Sequence, residues 1–489
     1  MDAGEEAFRT PILLSSDVGR SEGLCYDATI VPAFSAVAAR ASRIRRLGTA
    51  AAVLVVAGSC ARAPSVPRES PRHNVLLIVV DALRADRLGA AGYPLPTTPN
   101  IDRLAAEGVL FRNAYAHSTW TKPSMTTLFT SLYPSEHGMA DVGREGTEGF
   151  STDRLPDSIE TIAERFQLGG WSTVAVVNQV HLQRKLGFAQ GFDRFAWRRG
   201  KGAFELNEIF RDWLANRDER PFFAWVHYLD AHWPYDTSLP DETGRFGSTA
   251  IANPPPKRLS RVEAWVARGV DAKSRAALGA RYDQEVALVD AAVGELVREI
   301  EHAGLRDRTW IVVTSDHGEG FLEHDRLKHS YSPYEEVARV PLLVAPPAGL
   351  DVPYGERQTP VGLIDLAPTL LDLAGAGPLG EASGKSLRPI LEGIENPDRP
   401  VFVQTTDAWS LRVGRLKLIA FGGGRLELFD LESDPAETEN LAASGCDDVC
   451  AGLREQLREF RAGLRRPIAS EDHRLDEADL EELRSLGYL

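Results

Sequence analysis

Short runs of apolar residues, separated by polar and turn-forming segments, recur along the chain. The first run, at residues 74–80 (NVLLIVV), is continuously apolar and rich in β-branched side chains. This pattern is typical of a strand buried on both faces of a parallel sheet. Comparable runs predict further strands at residues 172–177, 221–228, 309–314 and 340–345.

Between these runs, apolar residues recur at spacings of three and four, which predicts helices with one buried face. The clearest helix is predicted at residues 274–303, where Val286, Val289 and Val293 lie on one side. Further helices are predicted at residues 100–107, 155–169, 204–216 and 363–374. Alternating strands and helices favour an α/β fold, with a mostly parallel sheet flanked by helices.

The pattern changes after about residue 399, where short β-like segments are separated by glycines. These segments predict a small antiparallel sheet, with strands at residues 400–404, 410–413, 416–421 and 426–431. Helical segments are predicted at residues 450–464 and 477–486. We therefore expect a main domain at residues 74–395 and a C-terminal subdomain with a helical tail at residues 396–489.

The segment before the main domain resembles a targeting sequence. Several arginines between residues 40 and 46 precede the apolar stretch 47–58, and Ser59 and Cys60 follow it. This order is typical of a signal peptide, and AGSC resembles a lipoprotein processing site with Cys60 as the lipidated residue. We expect residues 1–60 to be an N-terminal extension with a signal or lipoprotein segment, and the Pro-rich residues 61–73 to be a linker.

This interpretation predicts an exported protein, in the periplasm or at the outer face of the membrane, with Cys60 as its lipid anchor. An ordinary apolar helix in a cytosolic protein remains the alternative. Cys446 and Cys450 are separated by three residues, and in an oxidising compartment they would close a small disulfide loop.

The charge balance excludes one class of partner. The chain has 55 Lys and Arg against 70 Asp and Glu, which gives a formal net charge of −15. Nucleic acid is therefore excluded as a general partner, because binding to its phosphates requires a basic surface. A local basic pocket for one anion is compatible with this charge.

Polar residues at strand ends suggest a catalytic site. Asp81 follows the strand at residues 74–80, and Asp316 and His317 follow the strand at residues 309–314. Thr121 precedes Pro123, so its hydroxyl is expected beside the N-terminus of a helix at residues 123–132, which attracts anions. These oxygen and nitrogen ligands suit one divalent ion, Mg²⁺, Mn²⁺ or Ca²⁺, and Zn²⁺ is compatible.

A metal-binding carboxylate group and a hydroxyl at a helix end are suited to cleaving a phosphate or sulfate ester. Thr121 acting only as a helix cap is the alternative.

Several ordered blocks resemble the sulfatase family of the alkaline phosphatase superfamily. They cover roughly residues 74–440 and include NVLLIVVDALRADRLGAAGY, WTKPSM, FFAWVHYLDAHWPY, TSDHGEGF and LKHSYSPYEEVARVPLLV. The resemblance implies an alkaline-phosphatase-like fold and a hydrolase acting on sulfuric or phosphoric esters. It also implies one divalent metal ion, held by Asp81, Thr121, Asp316 and His317.

The resemblance implies further site residues. His232 matches a histidine that binds substrate or donates a proton, and Lys328 and His329 match a catalytic pair beside the ester oxygens. Asn178 and His181 lie near a substrate-binding Lys-x-His position, where Gln179 replaces the lysine. A solvated surface lysine is the alternative for Lys328. His227 is interpreted as a packed core residue.

Thr121 departs from the family pattern. Sulfatases carry Cys-x-Pro-x-Arg or Ser-x-Pro-x-Arg, whose first residue becomes formylglycine, whereas this chain has Thr121, Pro123 and Met125. Threonine cannot give that aldehyde by the usual route, so Thr121 is predicted to be the nucleophile itself, which favours a phosphate ester.

The substrate is expected to be an ester of a small molecule, a glycan or a lipid. A phosphoglycerol-type transferase of the cell envelope and a catalytically silent envelope binding protein remain the alternatives.

Overall fold

A computed structural model describes residues 72–139, 144–146, 149–235, 245–251, 254–256, 259–330 and 332–486. The predicted signal segment and the lipidation of Cys60 lie outside these ranges and stay predictions. Within them, no helix combines the length and apolar character needed to cross a membrane. The boundary predicted near residue 396 also stays a prediction.

The described residues form strands and helices in alternation over most of the chain. The strands are β1 (Asn74–Val80), β2 (Val109–Tyr115), β3 (Arg144–Gly146), β4 (Gly149–Arg154), β5 (Ser172–Val177), β6 (Arg194–Trp197), β7 (Phe222–Tyr228), β8 (Thr309–Thr314), β9 (Gly320–Phe321), β10 (Leu327–Lys328), β11 (Arg339–Ala345), β12 (Gly355–Arg357), β13 (Val361–Gly362), β14 (Val401–Gln404), β15 (Ala408–Val413), β16 (Leu416–Phe421), β17 (Leu426–Asp430) and β18 (Glu471–Arg474). The helices are α1 (Pro99–Ala106), α2 (Thr121–Thr130), α3 (Pro134–His137), α4 (Ile162–Leu168), α5 (Ala203–Asn216), α6 (Leu259–Val266), α7 (Ala272–His302), α8 (Glu335–Ala338), α9 (Leu366–Ala374), α10 (Arg388–Leu391), α11 (Asp448–Gly463) and α12 (Glu477–Ser485).

The central sheet has the order β12-β2-β11-β8-β1-β7-β5-β6, and β13 also pairs with β2. Strands β8, β1, β7, β5 and β6 are mutually parallel, whereas β11 runs antiparallel to both β8 and β2. Alternate side chains of β1 enter two different cores, with Leu77 in one and Ile78 in the other. The predicted α/β fold with a mostly parallel sheet flanked by helices is confirmed.

One predicted helix is wrong in its bounds. Residues 155–169 were expected to be helical, but α4 begins only at Ile162. Thr161 ends the preceding turn because its hydroxyl accepts from the Glu164 backbone N–H, and Glu164 Oε2 accepts from the Thr161 N–H at 2.8 Å. This reciprocal capping box fixes the helix start.

The helix predicted at residues 123–132 is also shifted. It is observed as α2, from Thr121 to Thr130, and the shift places Thr121 inside the first turn.

The small C-terminal sheet is confirmed as an antiparallel meander in the order β14-β15-β16-β17. Helix α11 packs on it through Leu453 and Leu457. The predicted disulfide is also confirmed, because Cys446 and Cys450 are joined with Cα atoms 5.2 Å apart.

A buried ion cluster connects this sheet to the rest of the fold. Lys417 Nζ, on β16, lies 2.9 Å from Glu335 Oε1 and 2.9 Å from Glu437 Oε1. We expect Lys417→Met to lower the free energy of unfolding by about 3–5 kcal/mol, because it leaves the buried Glu437 carboxylate without its cation. Urea denaturation measures this change.

The control is Arg415→Met, which removes an exposed cation from the same strand region. It should cost about 1 kcal/mol or less, as expected of a surface ion pair. Equal losses in the two variants would contradict the prediction.

Candidate active site

Three neighbouring strands of the sheet bring one ligand each to the same edge. Asp81 directly follows β1, Asp316 follows β8, and His227 lies near the end of β7. The register aligns Val79 with both His227 and Thr314, so the three strands end at the same level. One ligand atom each from Asp81, His227 and Asp316 lies within 4.8 Å of the other two. The carboxyl ends of parallel strands are where open α/β sheets bind ligands.

The buried carboxylates of this group require a cation to offset their negative charge. All three side chains are fully buried, and Asp81 Oδ1, Asp316 Oδ2 and both His227 ring nitrogens have no hydrogen-bond partner among the described residues. Burial, followed by the adjacent Asp316 carboxylate, raises the pKa of Asp81 well above its usual range. Two adjacent buried carboxylates are unfavourable without a positive charge between them. The donor set therefore fits a divalent metal ion.

Two histidines, His227 of this group and the adjacent His317, are suited to binding a metal. Burial lowers the pKa of His227 to about 4, so its imidazole is neutral. His317 Nδ1 donates to the Gly318 carbonyl at 2.9 Å. Its Nε2 faces Asp316 Oδ2 at 3.4 Å and Asp81 Oδ1 at 3.7 Å. The hydrogen bond from Nδ1 to the Gly318 carbonyl fixes the orientation of the ring, as is common for metal-binding histidines.

Thr121 faces the same group. Its Oγ1 lies 3.3 Å from Asp81 Oδ2 and 3.4 Å from His317 Nε2, and the side chain is fully buried. Trp120 occupies the N-cap position of α2, and no side-chain capping bond is formed at this helix start in the described structure. The hydroxyl is thus directed at the carboxylate and the histidine, not at the helix N–H groups.

Residues after β5 contribute in a way that differs from the prediction. Gln179 Nε2 donates to Asp81 Oδ2 at 2.6 Å, so the residue that replaces the family lysine orients a predicted metal ligand. Asn178 Nδ2 donates to the Lys201 carbonyl at 2.7 Å. The His181 ring lies 5.6 Å from that of Trp120, the residue before Thr121. Asn178 and His181 therefore lie around the site, and Gln179 contacts its centre.

A second cluster lies beside the metal group. The His329 ring is 4.2 Å from that of His317 and 5.0 Å from that of His232. His329 Nδ1 donates to Glu319 Oε1 at 3.0 Å, which places the ring's lone pair on Nε2. Burial lowers the pKa of both His232 and His329 well below the usual value, so both rings are neutral at neutral pH.

Lys328 belongs to this cluster and is only 5% exposed, which argues against the solvated-lysine alternative. Burial lowers its pKa to about 8, and the Glu319 carboxylate opposes that shift. The ammonium is therefore charged at neutral pH and lies among groups suited to an anionic substrate.

Sequence reasoning missed three residues of this site. His227 was interpreted as core because β7 is buried on both faces, so alternation does not distinguish its functional face. Its place near the end of a strand adjacent to β1 was the signal that could have found it. Glu319 and Gln179 act through His329 and Asp81, and no sequence pattern indicates such contacts.

The family follows from comparison with known proteins. A family model described as Sulfatase matches residues 73–376, and one described as N-sulphoglucosamine sulphohydrolase, C-terminal, matches residues 327–463. The chain belongs to the sulfatase family. The predictions of this family, and of a hydrolase acting on ester bonds, are confirmed.

Curated relatives match most of the chain. The N-acetylglucosamine-6-O-sulfatase of Bacteroides thetaiotaomicron is 24% identical over 479 residues, covering 76% of this chain and 83% of the relative. The Delta 4,5-hexuronate-2-O-sulfatase of the same organism is 25% identical over 444 residues, covering 80% and 87%.

Solved structures show the same fold. A protein in complex with its substrate D-glucosamine-2-N,6-O-disulfate matches with a TM-score of 0.65 at 21% identity, covering 80% of this chain and 98% of that one. The phosphonate monoester hydrolase of Agrobacterium radiobacter matches with a TM-score of 0.64 at 24% identity, covering 80% and 96%.

Proposed function

We propose that this sulfatase-family chain is a metal-dependent ester hydrolase whose nucleophile is the Thr121 hydroxyl. The observation that carries the proposal is the position of Thr121 Oγ1, 3.3 Å from Asp81 Oδ2 and 3.4 Å from His317 Nε2. A bound divalent ion would be held by Asp81, His227, Asp316 and His317, and it would lower the pKa of a nearby hydroxyl and polarise the ester oxygens. His227 is thereby added to the ligand set inferred from sequence.

The residues of the site can carry the reaction in two stages. In the first, Thr121 Oγ1 forms a bond to the sulfur or phosphorus atom as the bond to the leaving oxygen breaks. Asp81 Oδ2 is the nearest carboxylate oxygen to accept the hydroxyl proton. The charged Lys328 stabilises the negative charge that develops on the leaving oxygen.

In the second stage, water attacks the threonyl ester and restores the hydroxyl. His329 is the candidate base, because its Nδ1–H is held by Glu319 and its Nε2 carries the lone pair. The released anion takes the oxygen of water, one proton of water passes to His329 and on to solvent, and Thr121 Oγ1 regains its proton from Asp81 Oδ2. The leaving alkoxide takes its proton from solvent. Formylglycine is not required at any point of this sequence.

The substrate we propose first is a sulfate ester of a sugar. Its support is that the relatives named above are sulfatases of amino sugars and uronic acids. A cavity of about 620 Å³ beside His232 is lined by Asn178, Asp230 and Trp233, which supply the polar and aromatic contacts that a sugar ring requires.

A phosphate ester is the second candidate, and a different observation favours it. Met125 is fully buried where the formylglycine motif has arginine, so the side chain that holds a converted residue is replaced, which favours an unmodified alcohol nucleophile. Assays of 4-nitrophenyl sulfate and 4-nitrophenyl phosphate, after chelation and addition of Mg²⁺, Mn²⁺, Ca²⁺ or Zn²⁺, distinguish the candidates. If neither ester is hydrolysed with any of these ions, the proposed function is contradicted.

The pH dependence provides a test of Lys328. Its pKa of about 8 means that the ammonium is present at neutral pH and is lost as the pH rises through about 8. We therefore expect kcat/KM to fall on the alkaline side of that value. Lys328→Arg should move this limb to higher pH, because a guanidinium stays charged. The same alkaline limb in both proteins would show that another group causes it.

A further inference from the structure

The end of the described chain forms a structure that we call the C-terminal strap, residues 471–486. Its first part is β18, which pairs antiparallel with β4 so that His473 lies opposite Thr152. The Thr152 hydroxyl accepts a hydrogen bond from Lys122, the neighbour of Thr121. The strap thus begins on a strand that directly contacts the residue after the proposed nucleophile.

The second part of the strap, α12, is held by both apolar and charged contacts. Leu483 is 1% exposed and packs with Val180, the first residue of the short turn that also contains His181. Asp479 forms ion pairs with Lys185 and Arg199, and Arg199 Nε lies 2.8 Å from Glu482 Oε2. These contacts fix α12 against the segments that follow β5 and β6.

The strap ends at the cavity beside the site. Ser485 and Leu486 line the same cavity as His232 and Trp233. The Leu486 carbonyl also accepts a hydrogen bond from Lys328 Nζ at 3.3 Å. Because Lys328 is the group proposed to stabilise the leaving oxygen, its contact with Leu486 places the cavity on the leaving side of the ester.

We infer that the C-terminal strap is a specificity-determining wall of the substrate cavity, and that it limits the size of the leaving group. The inference rests on the proposed function, because it assigns the cavity to the alcohol part of the ester. Ser485 and Leu486 form the wall, and the contacts of Leu483, Asp479 and Glu482 hold it in place. A bulky leaving group would have to displace α12, whereas a single sugar ring fits beside it.

The test compares a sulfated monosaccharide with the same sulfated sugar at the end of a tetrasaccharide. Ser485 is exposed, so Ser485→Trp narrows the cavity without disturbing the core. It should lower kcat/KM for the tetrasaccharide relative to the monosaccharide by about tenfold or more, the range expected for a steric contact in a pocket. Glu481→Trp, on an exposed position of the same helix outside the cavity lining, is the matched control and should leave the ratio unchanged.

A second variant should raise the kcat/KM for the tetrasaccharide relative to that for the monosaccharide. Leu483→Asp places a charge in the apolar contact that holds α12, so it should release the strap and raise the relative kcat/KM of the tetrasaccharide. Limited proteolysis would verify the release, because a detached helix is cut more readily. Since Ser485→Trp leaves this anchor intact, the inference stays testable if Leu483→Asp fails to fold.

The outcomes separate this inference from the proposed function. If Ser485→Trp leaves the ratio of kcat/KM for the tetrasaccharide to that for the monosaccharide unchanged, as an equal loss for both substrates would, the strap is not a wall of the cavity. The same comparison is made on the affinities of the two desulfated sugars by calorimetry. An inactive wild-type protein would therefore count against the proposed function, while the wall would still be measured by binding.

Discussion

Thr121→Ala should lower turnover by at least about three orders of magnitude, in line with removal of a covalent nucleophile. The reason is geometric, because the Thr121 hydroxyl lies between two predicted metal ligands, with Oγ1 3.3 Å from Asp81 Oδ2 and 3.4 Å from His317 Nε2. Thr121→Ser keeps the hydroxyl and should retain measurable activity. Steady-state kinetics with 4-nitrophenyl esters measures both variants.

The matched control is Thr126→Ala, one turn further along α2. The Thr126 hydroxyl is also buried, but it donates to the Lys122 carbonyl and does not face the site. It should change stability more than turnover. Thr121→Cys should not be activated by a formylglycine-generating enzyme, because Met125 replaces the motif arginine. Near-normal turnover in Thr121→Ala would show that the hydroxyl is not the nucleophile.

The strands that carry the site were predictable because their sequence determines their environment. β1, β5 and β8 have the bounds expected from apolar runs, since each is buried on both faces. β2 was missed because Arg112 and Asn113 interrupt its apolar run, which fits a strand towards the edge of the sheet. Local pattern thus predicts central strands well and outer strands poorly.

The same distinction holds for the site. Asp81 and Asp316 were predictable because each follows a recognisable strand, and parallel strands end at a common edge. The contact of Lys328 with Leu486 joins residues 158 positions apart, and no local pattern encodes it. The strap and the role of Gln179 therefore required tertiary structure, in which the loop after β5 is brought beside Asp81.

The metal site makes the second large prediction, and Asp316→Asn tests it with little change in shape. Asp316 Oδ1 accepts from the Ala82 and His317 N–H groups at 3.2 Å and 2.9 Å, and an asparagine oxygen can keep both bonds. Oδ2, which has no partner among the described residues, becomes an amide that cannot bind a cation. We expect metal binding and turnover to be lost together while the protein stays folded.

Thermal unfolding with and without metal provides a readout that does not depend on activity. A ligand that binds only the folded state at a thousand times its Kd stabilises that state by about 4 kcal/mol, so excess metal should raise the Tm of the wild-type protein. The same addition should leave the Tm of Asp316→Asn unchanged. Without metal, the variant should be at least as stable as the wild type, because it removes the buried Asp316 carboxylate, which together with burial raises the pKa of the adjacent Asp81. Asp372→Asn, at an exposed ion pair with Arg388, is the control and should keep the metal-dependent rise. Full metal content in Asp316→Asn, measured by elemental analysis, would contradict the site.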